Sequence, residues 1–108
     1  MAFPEKLTSV AIKVAANVYF DGAVVSRSVE LPDGAKKTLG FMQRGQYEFN
    51  TRQAELMDIV SGSVEVMIPG ADGPIRAVGG ESFHVPADVE FAITVNEPTD
   101  YVCSFLPD

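Results

Sequence analysis

Several residue types that make a protein's chemistry easy to recognise are scarce here. The sequence has one cysteine, one histidine and no tryptophan, and it carries eight Lys and Arg against fifteen Asp and Glu. A single cysteine, Cys103, excludes an internal disulfide and any thiol pair for metal or redox work. The shortage of cations has a second consequence. At a formal net charge of −7 the chain repels polyanions, and no basic cluster occurs beyond Lys36-Lys37, so nucleic acid is not an expected partner. Runs of about 18 apolar residues are also missing, so no membrane-spanning helix is expected. The first twenty residues lack the charged, then apolar, then small-residue layout of an export signal, which makes the cytoplasm the expected location.

What is present is a single well-packed domain. The 108 residues are 46% hydrophobic with a mean hydropathy of +0.11, and a chain of this size buries roughly two-thirds of its unfolded surface without staples. Leu7, Val10, Ala11 and Val14 are spaced for an amphipathic turn or two, although their neighbours suit an extended arm equally well. From Tyr19 onward the text is short β-type runs cut by turn residues. The runs are 23–31, 37–44, 46–49, 55–61, 63–68, 75–78, 82–85, 90–95 and 101–106. Pro32-Asp33-Gly34, Gly45, Ser61-Gly62, the 69–74 loop, Gly79-Gly80, Pro86-Ala87-Asp88 and Asn96-Glu97-Pro98 separate them. About nine short strands with no crossover helix predict an all-β sandwich or barrel. Alternation places Tyr47, Phe49 and Thr51 on one face, as it does Phe91, Ile93 and Val95, and Tyr101, Cys103 and Phe105.

Two segments then stand out. The first, Gly45 to Gly62, reads G-Q-Y-E-F-N-T-R-Q-A-E-L-M-D-I-V-S-G, and the second, Gly80 to Phe91, reads G-E-S-F-H-V-P-A-D-V-E-F. They resemble the two cupin motifs, with Glu55, Gly62, Gly80 and Pro86 on the motif's glutamate, turns and proline. The three histidine positions of that pattern are occupied by Phe49, Thr51 and Phe91. Phenylalanine offers a metal nothing, and one carboxylate with one hydroxyl falls short of the three or four ligands a transition metal takes. No metal site and no cofactor are expected.

A more specific set follows: Y-F-x-G at Tyr19–Gly22, G-x-M at Gly40–Met42, G-x-Y-x-F-x-T at Gly45–Thr51 and E-x-M at Glu55–Met57. It continues with Ser61-Gly62, F-x-V-P at Phe83–Pro86, Glu90-Phe91 and Y-x-C at Tyr101–Cys103. In this order, from about Asn17 to Leu106, they resemble the small bacterial cupins known as pyrimidine/purine nucleoside phosphorylases. The resemblance implies a single cupin-type jelly-roll β-barrel over residues 17–108, with residues 1–16 as an N-terminal extension or arm. It implies phosphorolysis of purine or pyrimidine nucleosides, with phosphate as co-substrate, by a homodimer.

Each task of that reaction asks for a residue type. Tyr47, Phe49, Phe91 and Tyr101, with Met42 and Met57 filling gaps, would form an aromatic lumen for a flat base, or else plain core. Glu55, inward on an apolar strand, is the candidate acid, because burial raises a carboxyl's pKa. It would protonate the leaving base or hold a ribose hydroxyl; alternatively it is a remnant of a metal site, hydrogen-bonded to Thr51 or Ser61. Thr51 is a candidate for a sugar hydroxyl. For the phosphate, Lys36 or Lys37 followed by Thr38 is the choice among the cations near strand ends, the others being Arg27, Arg44 and Arg52. Glu48 and Glu90 should face solvent. His84 and Cys103 read first as structural groups. A second reading keeps the lumen and drops the chemistry: a non-catalytic cupin that binds a small planar ligand.

Overall fold

The computed structural model describes residues 4–107. Nine strands follow in order: β1 (Ala11–Ile12), β2 (Asn17–Tyr19), β3 (Val24–Glu30), β4 (Lys36–Met42), β5 (Gly45–Asn50), β6 (Glu55–Met67), β7 (Ile75–Val78), β8 (Ser82–Val85) and β9 (Glu90–Phe105). A short turn at Phe20–Gly22 joins β2 to β3, and no α-helix occurs among the described residues. Among the described residues no helix is long and apolar enough to cross a membrane.

Two long strands organise the barrel. The first half of β6 pairs with the second half of β9, from Glu55↔Phe105 to Ile59↔Tyr101, and its second half pairs with the start of β9, from Val64↔Val95 to Met67↔Ala92. Each therefore passes from one wall to the other. One wall has the order β8-β6-β9-β4-β3, with β1 and β2 both on the far side of β3. The facing wall has the order β7-β6-β9-β5. All pairings are antiparallel. Two sheets closed on each other in this way form the expected all-β barrel.

The Ser61-Gly62 and Asn96-Glu97-Pro98 separators do not end strands; they bend them. Register shifts between Ile59 and Val64 mark bulges in β6, which turn a strand sharply without breaking its ladder. Gly62 takes φ +109, and a Cβ there would collide with Thr99, which is fully buried in the corner. Pro98 sits where the β6–β9 register skips from Glu97 to Asp100, so its missing N–H costs no ladder bond. Residues 4–16 form no helix. Ala11 and Ile12 pair with Glu30 and Val29 at the sheet edge, and Val14 is 92% exposed, so no apolar helical face exists there.

The core lies between the walls. Val24, Met42, Ile59, Val64, Val66, Val85, Ile93 and Val95 are at most 1% exposed. Each such side chain stabilises the fold by roughly 1.5–3 kcal/mol. Met42 and Ile93 of this core also line an open lumen between the walls.

Candidate active site

The lumen has a volume of about 560 Å³, within the range of small-molecule sites. Its two walls differ in chemistry. On the first wall, alternation along β3, β4, β9 and β6 aims Ser26, Thr38, Met42, Glu55, Met57, Tyr101 and Cys103 inward. Cross-strand register sets them in rows: Ser26, Gly40 and Tyr101 are successive partners, as are Thr38, Cys103 and Met57. Glycine is needed at position 40, because a Cβ there would lie 2.5 Å from Cε1 and Oη of Tyr101. The bare backbone lets the tyrosine ring lie flat on the wall.

This polar wall is internally connected. Burial pushes the Glu55 carboxyl above its ordinary range, and a hydrogen bond from the Cys103 thiol partly opposes that shift. The Cys103 thiol is pushed up by burial and then by Glu55, while a hydrogen bond from Thr38 acts in the other direction. Tyr101 is also raised, chiefly by burial and by Cys103 and Tyr19 beside it, against a hydrogen bond from Ser26. Burial thus keeps the thiol and phenol neutral at neutral pH and shifts the carboxyl toward its protonated form, a chain of hydroxyl, thiol and acid along one face.

The opposite wall is aromatic. Phe49 of β5 and Phe91 of β9 are direct cross-strand partners, with ring centroids 5.9 Å apart. At the mouth the β2–β3 turn adds Tyr19, edge-on to Phe49 at 6.1 Å. The same turn adds Phe20, 5.5 Å from Phe49 and 4.9 Å from Tyr47. A flat ring thus finds apolar faces on one side and hydrogen-bonding groups on the other.

Of the sequence-derived candidates, Glu55, Phe49, Met57, Phe91, Tyr101 and Thr38 meet in this lumen. Three do not. Tyr47 is buried behind it, its hydroxyl donating to the Gln43 carbonyl at 2.7 Å, so it supports the aromatic wall from the rear. Thr51 is 5% exposed. Its hydroxyl donates to the Pro86 carbonyl at 2.7 Å and accepts from the Val89 N–H at 3.1 Å, tying the end of β5 to the 86–89 loop. Lys36 stands at the β4 end opposite Glu30, over a separate groove with Ala11 and Ile12, because the strand leaves the lumen before reaching it. Lys37 faces outward and donates to Ser104 at 2.6 Å. No lysine or arginine lines the lumen. Glu90 and His84 are exposed, and Glu48 is an exposed rim residue.

Tyr19, Phe20, Ser26 and Cys103 are site residues that the pattern reading did not nominate. Period-two alternation from Val24 is the signal that could have found Ser26; nothing local shows that the Tyr19–Gly22 turn folds back over the mouth. The donor set does not fit a metal. Phe49 and Phe91 offer no ligand, the Thr51 hydroxyl is committed to the 86–89 loop, and among the described residues no three His, Cys, Asp or Glu converge.

Comparison with known proteins bears on this geometry. Residues 14–105 match the family model described as pyrimidine/purine nucleoside phosphorylase. A relative from Sulfurovum sp. with that name is 52% identical over 102 residues, covering 94% of this chain and 99% of its own. A crystal structure from Acinetobacter sp. ADP1, described as a protein of unknown function (DUF1255), superposes with a TM-score of 0.88 at 35% identity. It covers 94% of this chain and 98% of the other. The EutQ protein of Clostridium difficile, 14% identical with a TM-score of 0.66 over 78% of this chain and 68% of its own, shares the fold alone.

Proposed function

The chain belongs to the pyrimidine/purine nucleoside phosphorylase family, and from that premise we propose that its lumen is the site at which a nucleoside and phosphate exchange. The reaction breaks the C1′–N bond, whose electron pair leaves with the base, and forms a C1′–O bond to phosphate. The products are pentose 1-phosphate and free base. The observation that carries this reading is the pairing of an aromatic wall with a polar wall that holds a half-buried acid.

Base and sugar divide between the walls by chemistry. The base stacks on Phe49 and Phe91, whose π-faces accept purine and pyrimidine alike. Sugar and phosphate lie toward Ser26, Thr38 and Tyr101, where hydroxyls supply neutral hydrogen bonds. Glu55 carries the proton that the departing base nitrogen takes up. A phosphate dianion in the same lumen favours the protonated form of Glu55 further, since two anions at close range repel. The absence of lysine and arginine from the lining fits this arrangement: the wall binds the anion through hydroxyl dipoles.

The same reading includes a metal-independent enzyme that acts in the cytoplasm, with no nucleic-acid or membrane partner. It also includes a homodimer. Leu39, Phe41 and Val60 are about 40% exposed on the outer side of β4 and β6, an apolar face of the kind that pairs with a second copy. The test of activity is incubation of chelator-treated protein with uridine or adenosine, with and without phosphate, followed by chromatography of the free base. Base release that needs phosphate and survives the chelator supports the proposal. Release from neither nucleoside removes it.

A further inference from the structure

The mouth of the lumen is closed on one side by a turn with unusual backbone geometry. Phe20, Asp21 and Gly22 have φ of +52, +54 and +94 in succession. Only the glycine is at ease in that region. Asp is tolerated there, whereas a bulky aromatic residue is an outlier that costs of order 1–3 kcal/mol. The turn is held shut by the Ala23 N–H donating to the Phe20 carbonyl at 3.0 Å. Val24, immediately beyond, is fully buried, so the strain is anchored in the core.

Strain of this kind needs compensation, and the free protein gives Phe20 only part of it. Its ring packs tilted on Tyr47 and perpendicular to Phe49, yet the residue is 47% exposed, and Tyr19 beside it is 46% exposed. Both line the lumen. Glycine or asparagine at position 20 would adopt the turn at lower cost, so a phenylalanine there uses its ring for something. The ring extends the aromatic wall past Phe49 to the opening.

We propose that Phe20, held in its left-handed conformation and flanked by Tyr19, is the outer aromatic contact for the nucleobase, edge-to-face at the mouth, and sets affinity for the nucleoside. The inference rests on the nucleoside-binding reading of the lumen. A base lying on Phe49 meets Phe20 edge-to-face at the mouth, because the two rings stand at 89° to each other, while the sugar reaches the polar wall. The contact binds the base both before and after the bond breaks, so it acts on affinity and not on the chemical step.

Steady-state kinetics with uridine and with adenosine at saturating phosphate test the inference. Phe20→Asn keeps a residue suited to the turn and deletes the ring; Phe20→Leu keeps apolar bulk and deletes the π-face. Both should raise KM about 3–10-fold, the range for one lost edge-to-face aromatic contact, with kcat within a factor of about 3. The larger rise is expected for adenosine, which has the larger π-face. Phe20→Tyr should restore the original KM. Thermal melting of Phe20→Asn should show no loss of stability beyond that of Phe20→Leu, because asparagine relieves backbone strain. Unchanged KM in Phe20→Leu, or equal falls in kcat and melting temperature without a change in KM, would overturn the role of Phe20. Failure of the unsubstituted protein to release any base would instead overturn the nucleoside reading on which it rests.

Discussion

Replacing Gly40 with alanine tests whether the polar wall is built as described. The added methyl would lie 2.5 Å from Cε1 and Oη of Tyr101 and nearer still to Cζ, against an ordinary carbon contact of about 3.5–4.0 Å. The ring must therefore retreat by more than about 1 Å. It cannot do so by parting β4 from β9, whose ladder runs from Lys37↔Ser104 to Met42↔Thr99. It must tilt into the lumen and give up the hydrogen bond from Ser26. Overpacking of this kind costs roughly 1–3 kcal/mol, and the lost hydrogen bond adds about 1 kcal/mol. For a domain near this size, the resulting loss of about 2–4 kcal/mol corresponds to a fall in Tm of roughly 10–30 °C. Chemical denaturation of Gly40→Ala, Tyr101→Leu and the double variant gives a direct measure. With the far end of the tyrosine ring gone, Gly40→Ala should cost nothing, or gain about 0.5–1 kcal/mol from the stiffer unfolded chain. A coupling energy of at least about 2 kcal/mol between the two sites is therefore expected. An equal cost of Gly40→Ala in both backgrounds would refute the claim that the glycine exists to seat Tyr101.

Other predictions concern the acid, the β5 tie, the core and the assembly. Glu55 has a folded-state pKa raised above 4.5 by burial, so the native state binds a proton more tightly than the unfolded chain. The stability this provides is fully present below pH 4.5 and is lost as pH rises through the folded value. Glu55→Gln, which mimics the protonated form, should melt higher than wild type at pH 8, with the difference closing toward pH 4; a gap that widens in acid would contradict this. Thr51→Val removes a hydroxyl bonded to Pro86 and Val89. It should destabilise the fold by about 1–3 kcal/mol by leaving those backbone groups unpaired, with kcat/KM per folded molecule unchanged; a selective loss of nucleoside affinity would return Thr51 to the site. Ile59→Ala, at a fully buried position, should cost about 2–5 kcal/mol in urea denaturation. Light scattering should report a mass near twice 11.6 kDa, and Phe41→Glu on the outer face should halve it; a monomeric wild type would exclude the dimer.

Alternation and turn residues made the architecture legible, because each strand's side-chain period is local information. That period also placed Phe49, Glu55, Met57, Phe91, Tyr101 and Cys103 facing inward. What it could not supply was the behaviour of bends. Ser61-Gly62 and Asn96-Glu97-Pro98 look like strand ends, yet the ladder carries β6 and β9 through both, since bulges absorb the extra residues. Nor could parity tell where along a strand the lumen stops. Lys36 shares the inward phase of Thr38 and lies beyond the end of the lumen. Thr51 shares the phase of Phe49 and spends its hydroxyl on a loop that is 35 residues away in sequence. Tyr19 and Phe20 belong to a turn whose left-handed geometry is visible only in the backbone, and they are the residues that complete the aromatic wall.

The central claim is that Glu55 serves as the general acid for phosphorolysis in this lumen, and the most direct measurement of it is the rate of phosphate-dependent base release by Glu55→Gln beside wild type. Glutamine keeps the shape and a hydrogen bond but delivers no proton. The account predicts a fall in kcat of about 10²–10⁴-fold, the range for loss of a positioned general acid. It also predicts that the wild-type rate declines as pH rises and Glu55 ionises. Full turnover by Glu55→Gln would contradict it.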